Sequence, residues 1–278
     1  MARRLNITLL LNYLIMVISS LIILIPLSIM IFTSLKGNKD YFLSPLSWPN
    51  KLHWENYAAA WFRGEFPQHL FNSLFVTSTA VLIIVLGGAM ASYAISRVKV
   101  GRWNGLVFAI LLAGLILPGQ VGLIPLFMLL RNLGLFQHNW GVILIFVAQG
   151  LSITVFIYTK FFNQIPFELE EAATMDGSSK MRTFWSIILP LSLPATATII
   201  ILNTLVIWND FFNALIFIGD SSNQTLPLGL ISFKAQGTQT DWPELFAYST
   251  LIAAPILIFY LFLQRYLISG LTDGAVKG

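Results

Sequence analysis

The chain has 278 residues, of which 56% are hydrophobic and only 10% are charged, whereas soluble proteins average about 25% charged residues. This composition excludes an ordinary soluble domain and predicts a protein embedded in lipid. The net charge of +4 requires no nucleic acid partner, and the absence of cysteine excludes both a disulfide framework and thiolate metal ligation.

Six runs without Asp, Glu, Lys or Arg reach the roughly 20 residues that a helix needs to cross the hydrocarbon. We therefore predict an all-α, polytopic membrane protein with one transmembrane domain over residues 1–278. The six transmembrane helices are expected at about 9–35, 70–96, 104–130, 139–162, 184–214 and 245–267. The first apolar run is longer than the roughly 7 to 15 residues of a signal peptide, so we expect it to be a membrane helix.

The lysines and arginines in the connections predict the orientation, because basic residues concentrate on the cytoplasmic side. With a cytoplasmic N-terminus, ten of the 16 fall inside and six outside. The inner ones are Arg3, Arg4, Arg97, Lys99, Arg102, Lys160, Lys180, Arg182, Arg265 and Lys277. Both termini are then predicted to be cytoplasmic.

The first outer connection, from Lys36 to Gln68, is long and rich in proline and aromatic residues. Aromatic rings favour the membrane interface, and Glu55 to Phe62 is predicted to form a short helix there. Two interpretations stay open for this connection. It is either a docking surface for an external protein or an interfacial anchor.

Prolines recur inside the predicted membrane helices, at Pro26, Pro118, Pro125, Pro190, Pro194 and Pro255. Each removes a backbone donor, which membrane helices tolerate where neighbouring groups satisfy the freed carbonyls. Small residues such as Gly87, Gly88, Gly114 and Gly119 favour close helix contacts. Kinked, mutually packed helices are therefore expected, in either a moving pathway or a static packing.

A polar segment interrupts the apolar runs at about residues 164–183. Pro166 suits the first turn of a short helix, and Gly177 supplies its stop, since glycine tolerates the left-handed conformation at a helix C-terminus. A second helix is predicted to start after Ser178 or Ser179, either of which is a good cap. On the first helix, Leu169, Ala172 and Ala173 are expected to share one face.

The order of residues in this segment resembles the cytoplasmic coupling loop of ABC-importer permeases of the carbohydrate, maltose-permease type. The matching positions are Glu171, Ala172, Ala173, Asp176, Gly177, Phe184, Ile187, Leu189 and Pro190. The six-span layout and the tail from Gly270 to Gly278 are also similar to that family. Ser178 and Asp273 depart from it, because alanine is frequent at both positions.

The resemblance implies a permease subunit that couples to a separate ATPase through Glu171, Ala172, Ala173, Asp176 and Gly177. It also implies a second, different permease subunit, two ABC ATPase subunits, an extracytoplasmic solute-binding protein and a small-molecule sugar. The chain itself would need no cofactor, because ATP is used by the partner subunits. The expected location is the bacterial cytoplasmic (inner) membrane, surrounded by lipid.

Four polar residues lie near the end of the fifth predicted span: Asn203, Asn209, Asp210 and Asn213. An ionisable group at mid-bilayer costs about 2.5 to 3.5 kcal/mol on insertion scales, so Asp210 is expected to face protein or water. Asn203 and Asp210 are seven residues apart and would share a face of a continuous helix. Such a stripe could contact the hydroxyl groups of a substrate, or could form hydrogen bonds between helices.

Two other classes of membrane protein fit the sequence less well. A membrane enzyme lacks support, because the three histidines are scattered and the sequence has neither a hydrolytic triad pattern nor a phosphate-binding loop. The alternative is a secondary transporter driven by an ion gradient. Such proteins usually carry repeated halves and buried charges in several spans, whereas Asp210 is the clear carboxylate here.

Overall fold

The computed structural model of the chain describes residues 7–97, 102–116, 119–233 and 240–275, and every regular element in these ranges is a helix. The predicted all-α class is therefore confirmed for the described part. The α-helices are α1 (Ile7–Ser34), α2 (Asn38–Leu43), α3 (Glu55–Phe62), α4 (Phe66–Arg97), α5 (Arg102–Ile116), α6 (Leu123–Asn132), α7 (Asn139–Phe162), α8 (Glu168–Met175), α9 (Lys180–Thr183), α10 (Leu189–Leu191), α11 (Leu193–Trp208), α12 (Phe212–Phe217), α13 (Leu226–Gly229) and α14 (Trp242–Ala275). A π-helix covers Phe184–Ile188, and 3₁₀ helices cover Gly119–Gly122, Ser221–Asn223 and Leu230–Phe233.

Four helical segments are long and apolar enough to cross a membrane: Leu9–Ser34, Phe66–Arg97, Asn139–Phe162 and Trp242–Phe262. A fifth crossing results if the bent pair Lys180–Leu191 and Leu193–Trp208 counts as one span. Most of α1 exposes its apolar side chains all round, as a lipid-facing helix does. The helices thus support a membrane protein, while the count of six spans stays a prediction.

The third and fifth predicted spans are not continuous helices. The range 104–130 covers most of α5 and most of α6, and a 3₁₀ turn at Gly119–Gly122 lies between them. In the fifth, the axes on either side of Ser192 meet at 74°, because Pro190 and Pro194 flank that residue and each removes a helical hydrogen bond. By contrast, Pro26 and Pro255 lie inside continuous helices.

Several residues on which the predictions relied lie outside the described residues: Arg3, Arg4, Lys99, Pro118, Lys234 and Lys277. Of the tail from Gly270 to Gly278, the description covers the backbone helix as far as Ala275. The cytoplasmic placement of both termini therefore stays a prediction.

The first compact unit consists of Met1–Pro67 and Gly229–Pro255. The predicted helix in the first outer connection is present as α3. Its Asn56 amide donates to the carbonyl oxygens of Ser34 and Lys36, both at 2.8 Å. The buried Lys36 ammonium donates to two further carbonyls of the connection, at 2.8 Å each. Burial lowers the pKa of Lys36 from its ordinary value, while the carboxylate of Asp40 acts in the opposite direction. The connection is thus a folded element fastened to the end of α1.

An aromatic cluster and an ion pair hold the same unit together. The buried Tyr248 ring lies 5.7 Å from that of Phe66 and 5.1 Å from that of Phe233. Arg63 forms an ion pair with Glu244 at 2.8 Å. These contacts connect α14 with the segments around α3 and the last 3₁₀ helix.

The second unit consists of Gln68–Leu228 and Ile256–Gly278, with α7 packed against both α5 and α11. Most of α7 is buried, because apolar or small residues occur on every side of it. At the other end of the unit, Asn72 donates to the carbonyls of Ser222 and Gln224 at 2.8 and 2.9 Å, and the Ser73 hydroxyl accepts from the Leu226 amide at 2.8 Å. This pair fastens the segment after α12 to α4.

Two adjacent glycines of α4 provide a test of the close packing on α7. A Cβ atom added at Gly88 would lie 2.4 Å from the buried Thr154 methyl, whereas one at Gly87 would lie 3.9 Å from its nearest neighbour, in Leu151. We expect Gly88→Ala to destabilise the chain by about 1–3 kcal/mol through overpacking. Gly87→Ala, the matched control, should be neutral or slightly stabilising, since alanine favours helix. Thermal unfolding of the solubilised chain measures both, and equal midpoints for the two variants would contradict the packing.

Candidate functional site

The polar loop predicted at 164–183 has the expected local structure. Its first helix, α8, has Phe167 at its N-cap and three carboxylates in its first turn. They belong to Glu168, Glu170 and Glu171, and negative charge at a helix N-terminus interacts favourably with the helix dipole. The side of the membrane on which the loop lies stays a prediction.

The turn after α8 depends on glycine. Gly177 has a φ of +78°, which places it in the left-handed region that residues with a Cβ rarely adopt. The Ser178 amide donates to the Ala173 carbonyl at 2.9 Å, and the Gly177 amide donates to Thr174 at 3.0 Å. These two bonds form a complete Schellman motif, which satisfies the last carbonyls of the helix.

The second helix starts where one of the two predicted caps lies. Ser179 is the N-cap of α9, and its hydroxyl accepts from the Arg182 amide at 3.3 Å. The chain continues through the π-helix, in which Phe184 is buried against Tyr93 of α4, with ring centroids 5.0 Å apart. The loop is therefore a helix, a tight turn and a second helix, α9, with which the bent pair begins.

The predicted apolar face of α8 is divided in the structure. Leu169 and Ala172 are exposed together with Met175, which retains 88% of its accessible surface. Ala173 faces the interior instead, beside Glu170. The prediction grouped Leu169, Ala172 and Ala173 because they are three to four residues apart. In the structure, the buried side of α8 consists of Glu170 and Ala173.

A cavity of about 420 Å³ lies beside this loop. Its walls combine charged and apolar side chains from α4, α8 and α9: Tyr93, Phe167, Glu170, Glu171, Thr174, Met175, Lys180 and Thr183. The exposed motif residue Glu171 therefore borders a recess, whereas Glu168 of the same turn does not. The exposed surface here thus combines the apolar side chains of Leu169, Ala172 and Met175 with a mostly apolar recess bordered by Glu171 and Lys180.

The predictions missed a buried charge cluster beneath α8. Arg97, at the end of α4, forms an ion pair with Glu170, and the Tyr93 hydroxyl donates to the same carboxylate at 2.9 Å. Arg97 had been used as a marker of topology alone, and Glu170 precedes the motif residues. The available signal was a second glutamate beside Glu171, with its side chain directed to the other side of a short helix.

The four polar residues of the fifth span do not form one stripe, because α11 ends at Trp208 before Asp210 is reached. Asn203 is buried, and its amide donates to the Thr154 hydroxyl at 3.3 Å and to its own helix at the Ile199 carbonyl. Asn209 is exposed and donates to the Leu205 carbonyl at 2.8 Å. The continuous helix assumed in the prediction is therefore wrong, and so is the shared face of Asn203 and Asp210.

Asp210 and Asn213 do interact with each other. One carboxylate oxygen of Asp210 accepts from the backbone amides of Asn213 and Ala214, at 2.9 and 3.2 Å. The other accepts from the Asn213 side chain at 2.9 Å. These are the bonds of a capping side chain at the start of α12, so the carboxylate is satisfied locally by its own turn.

We expect Asp210→Leu to destabilise the chain by about 0.5–2 kcal/mol, the usual cost of losing a helix cap. Asp210→Asn keeps the accepting oxygen and should lose much less. Asn209→Leu is the positional control, since its exposed side chain bonds to its own helix alone. Thermal unfolding measures the loss of stability in each of the three variants. Equal losses of stability for Asp210→Leu and Asp210→Asn would contradict the capping role.

Asn203 also lines a second cavity, of about 430 Å³, on the face shared by α7 and α11. Its other walls are Phe146, Gln149, Gly150, Ile153, Leu202, Val206 and Ile207. A Cβ atom at Gly150 would lie 2.4 Å from the side-chain oxygen Oδ1 of Asn203, so the glycine makes room for the Asn203 side chain between the two helices. The cavity is mostly apolar, with Gln149 and Asn203 as its two amide groups.

Comparison with known proteins gives matches to membrane transport proteins over most of the chain. Residues 83–273 match the family described as "Binding-protein-dependent transport system inner membrane component". A probable ABC transporter permease of Bacillus subtilis, YurM, is 38% identical over 91% of this chain and 83% of its own length. The melibiose/raffinose/stachyose import permease of the same organism is 34% identical over 91% of each chain.

A solved structure shares the fold. It is the crystal structure of a bacterial ABC transporter involved in the import of the acidic polysaccharide alginate. The TM-score is 0.82 at 21% identity, over 96% of this chain and 99% of that one. The matched family segment contains the polar loop, both cavities and all the candidate residues named above.

Proposed function

The chain belongs to the family of binding-protein-dependent transport system inner membrane components, and we propose that it is the permease subunit of an ATP-driven ABC importer for a carbohydrate. The observation that carries the proposal is the polar loop at 164–183, a helix-turn-helix with a glycine-dependent turn inside the segment that matches the family. Relatives that cover most of the chain and carry sugar-import names support the substrate class.

The coupling role is assigned to the exposed side of α8 and its turn. Glu171 and Ala172 are exposed on the surface of α8. Ala173, Asp176 and Gly177 stabilise the C-terminal end of the helix and its turn. A short, stiff helix seated in a groove of an ATPase subunit moves with that subunit. Because α9 and the π-helix continue directly from the turn, such a movement would reach the bent pair of helices.

The translocation pathway is proposed to follow the α7–α11 face, where the second cavity lies. Gln149 and Asn203 would supply amide groups to sugar hydroxyls, and the apolar walls would pack on ring C–H groups. Asn209, Asp210 and Asn213 lie beyond the end of α11. Their part in the pathway is indirect in this proposal, through the turn that Asp210 caps.

The remaining components are proposed from the sequence resemblance, and the family description supports the solute-binding protein among them. We propose a second, different permease subunit to complete the pathway, two ABC ATPase subunits that bind and hydrolyse ATP, and an extracytoplasmic solute-binding protein. The chain would span the bacterial cytoplasmic membrane with both termini and the 164–183 loop in the cytoplasm. That side places α8 where nucleotide is available.

Growth on single carbohydrates tests the substrate class. Disrupting the chain in its host should abolish growth on one or a few oligosaccharides and leave growth on unrelated carbon sources unchanged. Restoring the intact chain should recover it. Normal growth on every carbohydrate, combined with loss of uptake of another solute class, would contradict the proposal.

A further inference from the structure

The buried charge cluster beneath α8 joins three separate parts of the second unit. The side chains of Arg97 and Glu170 are each only 10% exposed. Arg97 donates to the carbonyls of Phe162 and Ile165, at 2.9 and 3.0 Å, and its guanidinium lies 5.7 Å from the Phe167 ring centroid. One arginine therefore connects the end of α4, the end of α7 and the start of α8.

Glu170 lies on the buried side of α8 and has a contact at each of its two carboxylate oxygens. Arg97 pairs with one of its carboxylate oxygens, and the Tyr93 hydroxyl donates to the other, so both contacts come from α4. Tyr93 also packs against Phe184, at the start of the π-helix. The cluster thus contacts the loop before its turn and again after it.

Burial of such a pair is weak evidence for stability, because the desolvation of two charges offsets much of their attraction. What the pair does fix is geometry, since removing one partner leaves a buried charge without compensation. Among the described residues, the exposed face of α8 makes no ion pair of this kind. The cluster therefore determines how α8 is oriented on α4, while the opposite face stays free for a partner.

We propose that Glu170 is a positioning residue for transmission: through Arg97 and Tyr93 it makes α8 and α4 move as one body when the ATPase acts. The inference rests on the proposed function, because it assumes that α8 receives the displacement. It adds a second route into the membrane, through α4, beside the continuous chain from α9 through the π-helix into α11. Glu170 differs in this respect from Glu171, which acts on the outer surface.

The test uses the complete transporter with its ATPase and a cysteine placed at Val206. This residue is 68% exposed, lines the α7–α11 cavity, and would be the sole cysteine of the chain. The rate of labelling by N-ethylmaleimide is measured without nucleotide and with ATP plus vanadate. In the otherwise unchanged complex, nucleotide should change this rate by about fivefold or more, a typical allosteric coupling factor.

Four variants are then compared in the same complex. Glu170→Gln and Arg97→Gln should keep the ATPase bound and hydrolysing ATP with an unchanged KM, while the labelling rate responds to nucleotide much less than in the unchanged complex, because only the route through the chain itself remains. Tyr93→Phe, a milder change, should reduce the response partly. Glu168→Gln is the control, since it removes an exposed carboxylate from the same helical turn and should leave the response unchanged.

The double variant tests whether Glu170 and Arg97 act through each other, while retained ATPase binding and an unchanged KM show that the complex is still folded. If Glu170 and Arg97 act through each other, Glu170→Gln combined with Arg97→Gln should be no worse than the more impaired single variant. A full nucleotide response in Glu170→Gln and in Tyr93→Phe would overturn the inference. Absence of any response in the unchanged complex would overturn the proposed function itself, and the inference with it.

Discussion

Gly177→Val is expected to uncouple ATP hydrolysis from transport while the permease remains inserted in the membrane. Gly177 has a φ of +78°, and a residue with a Cβ pays about 1–2 kcal/mol in that conformation. The β-branched valine is among the least suited to it. Relaxing to negative φ would break the Schellman bonds of Gly177 and Ser178 and turn α9 away from its present direction.

Conformation rather than space is the cause of this effect, and the controls separate the two. A Cβ atom at Gly177 would meet nothing within 4 Å, so a steric clash cannot account for the loss. Gly177→Asn should retain most of the coupling, since asparagine tolerates the left-handed region. ATP hydrolysis and uptake of the carbohydrate identified by growth are measured together in the reconstituted complex. Full coupling in the valine variant would contradict the role of the turn.

Glu171→Lys is expected to release the ATPase from the membrane subunits. Glu171 is exposed and lines the cavity beside α8, as Lys180 also does. On the proposed coupling role, Glu171 pairs with a basic group of the ATPase. Reversing its charge removes that attraction, and losing one partner of a buried interfacial pair costs about 2–5 kcal/mol. That is roughly a 30-fold or greater weakening of the complex.

Glu168→Lys is the matched control for this charge reversal. Glu168 lies in the same first turn and loses the same favourable interaction with the helix dipole, worth about 0.3–1 kcal/mol. It does not border the cavity, so the ATPase should stay bound. Size-exclusion chromatography of the solubilised complexes measures retention. Equal release by both lysine variants would point to a loss of α8 itself rather than of a specific contact.

The local structure of the loop could be predicted from sequence because short-range rules determine it. Glycine at the stop and serine as a cap each act within four residues, and the structure has a helix end at both signals. Pro166, predicted in the first turn, lies just before the N-cap residue Phe167 instead. The helix from Glu55 to Phe62 was also predicted with its bounds. Long apolar runs likewise predicted four of the membrane-crossing segments.

The remaining features depend on packing between distant parts of the chain. The 74° bend at Ser192 is an exception, because it lies between Pro190 and Pro194, where kinked helices were predicted. Its angle and the division of the third span are not visible in a hydropathy window. The ion pair of Arg97 and Glu170 joins residues 73 positions apart, and their types alone gave no indication of it. Asn203 and Asp210 were separated by a helix end that the spacing of seven residues does not reveal.

An ion-driven transporter would use different machinery from the structure described. It needs no ATPase, so a loop with a glycine-dependent turn and exposed apolar side chains would have nothing to bind. The family match and the relatives named as ABC permeases give that alternative no support. The two mechanisms are therefore distinguished by what accompanies the chain in the membrane.

Purification of the tagged, full-length chain from its native membrane in mild detergent tests the central claim most directly. We expect an ABC ATPase subunit and a second permease subunit to copurify, and ATP hydrolysis to accompany the complex. A complex assembled with Glu171→Lys should lose that activity on purification. Recovery of the unaltered chain without any ATPase, with uptake driven by an ion gradient after reconstitution, would contradict the proposed function.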